Sequence, residues 1–222
     1  MPTRTVEDYI KKLYVEQQRA SPGELVALGR LATVMDVVPG TVTTMVRTLA
    51  DAGLVRYEPR IGVSLSEAGE KLALHVLRRH RLVELFLTEV LKFDWAEVHE
   101  EAEELEHAIS EKLLERMDAF LGRPTVDPHG DPIPSAAGLI EPRQILPLAQ
   151  CATGTRVRIA RVDNQDPAFL HYINETSLRP GTTLTILSTS EVAGAVMVQK
   201  SDGSTVALGT TVAAVIWVTP SD

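Results

Sequence analysis

The chain has 222 residues, 44% of them hydrophobic, and a formal charge of −8 from 22 basic and 30 acidic side chains. That is enough apolar material for one or more packed cores, and the acidic total argues against a protein that coats nucleic acid indiscriminately. The charge is uneven. Residues 71–140 hold 8 basic and 14 acidic side chains, while the segments on either side are near balance, so an added cation would relieve repulsion in the middle. A single cysteine, Cys151, excludes an intrachain disulfide. The opening MPTRTVEDYIKKLY has no apolar run of signal-peptide type, and no stretch approaches the roughly 18 apolar residues of a membrane span. A soluble, cytoplasmic protein is therefore expected.

Residues 5–19 read as a helix, with Val6, Ile10, Leu13 and Tyr14 at helical spacing and Thr5 as its cap. A second helix is expected over 24–35. A third follows the link DVVPG, with Val42, Met45, Val46 and Leu49 on one face and Gly53 at its end. LVRYEP and VSLS, around Arg60-Ile61-Gly62, read as two strands. Helix–turn–helix followed by a hairpin is a winged helix layout suited to a major groove. Ser66 opens a long helix, DWAE (Asp94 to Glu97) resembles a capping box, and residues 110–121 are helical again. RPTVDPHGDPIPSAAG ends helix formation and marks a hinge. Beyond it RVRIARV, TLTILS, AVMVQK, TVALG and AAVIWV read as five short strands of a small SH3-like barrel. The expected class is α+β, with a winged helix domain at 1–65, a helical domain at 66–140 and a separable barrel at 146–222.

The helices after the hairpin carry metal-competent side chains. His80 and Glu84 are spaced i, i+4; His99, Glu103, Glu106 and His107 are spaced i, i+4, i+7, i+8, one stripe over two turns. Asp8 could meet that stripe if the first helix packs on it. Solvated helical glutamates are the bland alternative for HEEAEELEH. The two histidines bracket the stripe in register, however, and the preceding helix repeats the theme, which favours a metal site. Hard oxygen and imidazole ligands without thiolate suit Mn²⁺ or Fe²⁺ better than structural Zn²⁺.

The segments RRHRLVELFL and VHEEAEELEH, with the winged helix, the HGDPIP hinge and the terminal barrel, resemble the iron- and manganese-dependent repressors of the diphtheria toxin repressor and manganese transport regulator family. The resemblance spans essentially the whole chain. It implies that Asp8, Glu103, Glu106 and His107 form a primary, activating site. His80, Glu84 and His99 form an ancillary one, with His80 also able to join the primary cluster. In relatives with the extra, FeoA-like domain, that domain can donate ligands; Asp163, Gln165 and Asp166 in VDNQDP are the candidates here, with a plain polar loop as the alternative. Iron-type members carry Met and Cys where this chain has Asp8 and Glu103, so the carboxylates favour manganese. Small manganese-type members carry Glu where this chain has Lys11.

The function implied is a metal-dependent DNA-binding regulator and not an enzyme: a homodimer through residues 66–121 that represses metal-uptake genes. Mn²⁺ or Fe²⁺ would be the activator, with Co²⁺, Zn²⁺ or Cd²⁺ substituting in vitro. On the third helix Pro39, Thr41, Thr43, Thr44 and Arg47 are the expected DNA-facing residues, and Arg4, Arg56 and Arg60 the expected phosphate contacts. Two other readings stay open beside an iron-responsive relative. One is a winged helix regulator of an organic ligand. The other is a di-metal carboxylate enzyme, which the single Glu104–His107 pair at Glu-x-x-His spacing disfavours.

Overall fold

The computed structural model describes residues 3–221. It forms two compact units, one of residues up to Arg79 with Pro134–Leu139, the other of His80–Ile133 with Ile140 onward.

In the first unit α1 (Arg4–Arg19) buries Tyr9, Ile10, Leu13 and Tyr14. Its cap is Thr3, whose hydroxyl accepts from the Val6 N–H at 3.4 Å, and not Thr5, which lies inside the first turn. α2 (Leu28–Val34) is shorter than the sequence suggests. Residues just before it stay extended because Val26 bridges Val63 of the hairpin. A Cβ on Gly62 would lie 2.7 Å from the Val26 carbonyl oxygen, so that approach requires glycine. α3 (Pro39–Asp51) buries Val42, Val46 and Leu49, spaced i, i+4, i+7; each such burial stabilises by about 1.5–3 kcal/mol. β1 (Val55–Glu58) and β2 (Gly62–Leu65) pair antiparallel, with Arg60 at positive φ in their turn.

The long helix α4 (Glu67–Glu89) supplies Glu67–Arg79 to this unit and His80 onward to the other. In the second unit it packs on α5 (Val98–Leu105) and on α6 (Glu111–Phe120), which Ser110 caps. Val83 and Leu87 meet Val98, Ala102 and Met117, while Leu82 meets Leu114 and Ile133. Asp94 caps a turn by accepting from the Ala96 N–H, and α5 itself starts at Val98, later than the DWAE motif suggests.

The C-terminal sheet comprises β3 (Leu146–Pro147), β4 (Arg156–Val162), β5 (Thr183–Ser190), β6 (Ala195–Lys200), β7 (Thr205–Gly209) and β8 (Ile216–Pro220). They are ordered β3-β8-β4-β5-β6-β7, every pair antiparallel. Two helices interrupt it. α7 (Pro167–Glu175) lies between two expected strands in a stretch for which no element was expected, and α8 (Thr210–Val215) takes the first half of the expected strand AAVIWV. Trp95 and Ala96, from the α4–α5 connection, enter the core formed by Leu148, Ile159, Leu170, Ile216 and neighbours. The barrel thus shares part of its core with the helical segment.

Candidate metal centre

α4, α5 and the turn just past α5, which carries Glu106 and His107, bring the histidine and carboxylate groups together, so the helix ends before the expected stripe does. His80 Nδ1 lies 2.5 Å from Glu106 Oε2, and His80 Nε2 lies 3.0 Å from both Glu84 Oε1 and His99 Nδ1. His99 Nδ1 is also 3.0 Å from Glu84 Oε1, and its Nε2 is 3.4 Å from Glu103 Oε1. His107 Nε2 is 3.4 Å from Glu106 Oε1. These six residues form one continuous chain, with His80 joining the two sets that the family resemblance separates. Glu84 and Glu106 are fully buried, whereas His99 and Glu103 remain partly open to solvent. Burial alone would raise Glu84, but His80 and His99 outweigh it and hold the carboxylate well below its ordinary range. Asp8 lies half-buried on α1, in the other compact unit.

A second group comes from the loop that was read only as a hinge. Glu84, Asp127 and His129 are all buried and place one ligand atom each within 4.8 Å of one another. Asp127 Oδ1 accepts from the backbone N–H groups of His129 (2.8 Å) and Asp131 (2.9 Å). His129 Nε2 faces the Trp95 carbonyl at 2.9 Å. A carbonyl only accepts, so Nε2 carries a proton, which leaves Nδ1 as the nitrogen able to offer a lone pair to an ion. Asp127 Oδ2, Glu84 Oε2 and His129 Nδ1 are left without hydrogen-bond partners. Such atoms are costly to bury, and burial, then Asp131 and Glu84, holds Asp127 well above the ordinary carboxylate range. Three orphaned donors of hard oxygen and imidazole nitrogen around one point fit a divalent cation. Asp127 and His129 were missed in the sequence; DPHGD (Asp127 to Asp131), a histidine between two acids in a Pro/Gly loop, was the available signal.

The loop is held in place. Arg81 donates to the Pro132 carbonyl, and its guanidinium lies 3.7 Å from carboxylate oxygens of Asp127 and Asp131. Arg161 pairs with Asp131 (3.0 Å) and Asp163 (2.8 Å). Asp163 is therefore placed beside this loop. Asp166 has a different task, capping α7 by accepting from the Phe169 N–H at 2.9 Å.

On α3, Pro39, Thr41, Thr44 and Arg47 are exposed and Thr43 is half-buried. The Thr43 and Thr44 hydroxyls donate to the Pro39 and Gly40 carbonyls. Arg4, Arg56 and Arg60 are exposed.

Residues 1–63 match the iron dependent repressor N-terminal DNA binding domain, 66–135 the iron dependent repressor metal binding and dimerisation domain, and 146–220 the FeoA domain. An HTH-type transcriptional regulator of Methanocaldococcus jannaschii is 35% identical over 54% of this chain and 94% of its own length. The iron-dependent repressor IdeR of Mycobacterium tuberculosis is 36% identical over 62% of this chain and 57% of its own length. A solved manganese-dependent transcriptional repressor in complex with manganese superimposes with a TM-score of 0.90 at 38% identity, covering 97% of this chain and 100% of that one. The chain belongs to the family of metal-dependent transcriptional repressors that includes IdeR and the diphtheria toxin repressor.

Proposed function

We propose that the protein is a manganese-responsive repressor that binds operator DNA as a homodimer, with α1–α3 and the β1–β2 hairpin serving as a winged helix-turn-helix. The observation that carries the metal reading is the convergence of Glu84 Oε2, Asp127 Oδ2 and His129 Nδ1, all buried and without a hydrogen-bond partner. A bound divalent ion would add positive charge among these carboxylates beyond that of the Arg81 guanidinium at 3.7 Å from Asp127. Asp8, Glu103, Glu106 and His107 make the activating site, with His80 and His99 orienting the carboxylates. Glu84, Asp127 and His129 make a second position. Asp8 ties the DNA-reading helices to the dimerisation helices, so α3 reaches the spacing of two half-sites only when its carboxylate is engaged. Exposed Leu105, Leu113 and Phe120 suit a dimer face. Thr41, Thr43, Thr44 and Arg47 read bases from α3, and Arg4, Arg56 and Arg60 grip phosphates.

Manganese is favoured by the all-oxygen-and-imidazole ligand set. Iron is the second reading, favoured by the match to IdeR. Operator binding measured with Mn²⁺, Fe²⁺, Co²⁺ and Zn²⁺ against a metal-free control decides between them. The fullest operator binding at saturating metal is expected with Mn²⁺, even where Co²⁺ or Zn²⁺ is bound at a lower free concentration; equal binding without any metal would overturn the proposal.

A further inference from the structure

His129 is the ligand whose surroundings are most unusual. Its ring stacks on the Trp95 indole, with centroids 5.2 Å apart and planes at 25°. The carbonyl of the same Trp95 accepts from its Nε2. One residue thus fixes both the plane and the tautomer of the imidazole. Trp95 itself is 2% exposed and packed among the apolar side chains of the C-terminal barrel. Arg179, from the α7–β5 loop of that barrel, sets its guanidinium 4.9 Å from the indole centroid. The backbone closes the arrangement. The His129 carbonyl accepts from the Val162 N–H of β4 at 2.9 Å. Gly130, at φ +86, passes so close to the barrel that a Cβ there would lie 2.0 Å from the Ala160 oxygen.

We infer that Trp95 and Arg179 are positioning residues for the second metal position, and that docking of the C-terminal barrel and metal binding at Glu84, Asp127 and His129 strengthen one another. The inference rests on the metal reading above. Groups that orient a ligand and fix its tautomer typically contribute about 10- to 100-fold to metal affinity. Because linkage is reciprocal, metal that binds better to the docked barrel must hold the barrel docked by the same factor.

The test uses the full-length chain and Mn²⁺, with bound equivalents counted by electron paramagnetic resonance and affinities by calorimetry. Trp95→Leu removes the aromatic plane and keeps the carbonyl; it is expected to weaken one Mn²⁺ equivalent about tenfold and leave the other unchanged, with Trp95→Phe restoring most of the loss. Arg179→Gln, at an exposed position that tolerates substitution, is expected to weaken the same equivalent about threefold. In a Trp217→Phe background Trp95 is the sole tryptophan, and Mn²⁺ should quench it with the midpoint of that equivalent. Amide exchange in β4 should slow when Mn²⁺ is added, and should not slow in Asp127→Asn. If His129→Gln and Asp127→Asn leave the Mn²⁺ count unchanged, the metal reading itself fails. If they remove one equivalent while Trp95→Leu and Arg179→Gln bind Mn²⁺ as the natural chain does, or β4 exchange ignores Mn²⁺, the metal reading stands and the coupling is overturned.

Discussion

The two metal-competent groups of the second unit differ in how they stand without an ion. In the helical chain the groups satisfy each other: His80 bridges Glu106 and Glu84, and His99 bridges Glu84 and Glu103. His99 and Glu103 also reach solvent. In the loop group the three facing atoms have no hydrogen-bond partner and lie on residues at most 4% exposed. On the proposed metal reading, the first arrangement would persist empty and exchange its ion, as a sensor needs. The second would lose part of the cost of its buried, unbonded atoms when a cation is bound, as suits a structural position. Helical ligands should therefore govern DNA binding, and loop ligands stability.

The largest expected effect follows at Glu106, which holds His80 and sits beside His107. Partners that only orient a ligand contribute about 10- to 100-fold, so Glu106→Gln should lower Mn²⁺-activated operator binding by a hundredfold or more. Fluorescence anisotropy with labelled operator measures this. A loss below tenfold would mean that the helical chain does not set DNA affinity.

Asp127→Asn should act on the other side. It removes a buried carboxylate that lacks a hydrogen bond on Oδ2, so the metal-free protein should melt at the same temperature or higher. The stabilisation by Mn²⁺ should shrink, by about 2.7 kcal/mol at a hundred times the dissociation constant. Operator affinity at saturating Mn²⁺ should change less than that of Glu106→Gln. Calorimetric scans with and without Mn²⁺ test the sign, and a destabilised metal-free variant would erase the distinction between the two groups.

The same contrast explains what the sequence disclosed. His99 and Glu103 were legible because a helix repeats every 3.6 residues and writes a shared face into the spacing; Glu106, the αR C-cap, keeps that phase and His107 follows it in the turn. Asp127 and His129 carry no period. Their convergence on Glu84 depends on a loop path set by Gly130 against Ala160 and by Arg81 and Arg161, all tertiary contacts. The strands Arg156–Val162 and Ala195–Lys200 were likewise readable from alternation. α8 was not: TTVAAV has β-branched residues that suit a strand, and only its packing, with Ala213 in the core, makes it a helix. α7 did carry a start signal, Asp166 followed by Pro167, obscured by reading the acidic loop for ligands.

A smaller effect is expected for the metal preference. Asp8→Met and Glu103→Cys replace hard oxygen by soft sulfur, and should shift activation from Mn²⁺ toward Fe²⁺ or Co²⁺ by about tenfold in relative terms. The double variant should depart from additivity, because both side chains would share one ion. Additive effects would place the two on different ions, consistent with Glu103 lying nearest His80 and His99.

The smallest expected effect separates Asp166 from Asp163, which the sequence offered as equivalent candidates. Asp166 accepts from the Phe169 N–H at the start of α7, and loss of such a cap costs about 1 kcal/mol. Asp163 stands with Arg161 and Asp131 at the edge of the loop group. Asp166→Ala should therefore lower the melting temperature by a few degrees, equally with and without Mn²⁺, and leave the count of bound Mn²⁺ unchanged. Asp163→Asn should do the reverse, with little change in the metal-free protein and weaker Mn²⁺ binding at the loop position, because Arg161 then loses a carboxylate that competes for it with Asp131. Loss of a Mn²⁺ equivalent in Asp166→Ala would move the ligand set onto α7. That would imply a rearrangement in which α7 gives up its cap to reach the ion, and with it a different division of labour between helix and loop.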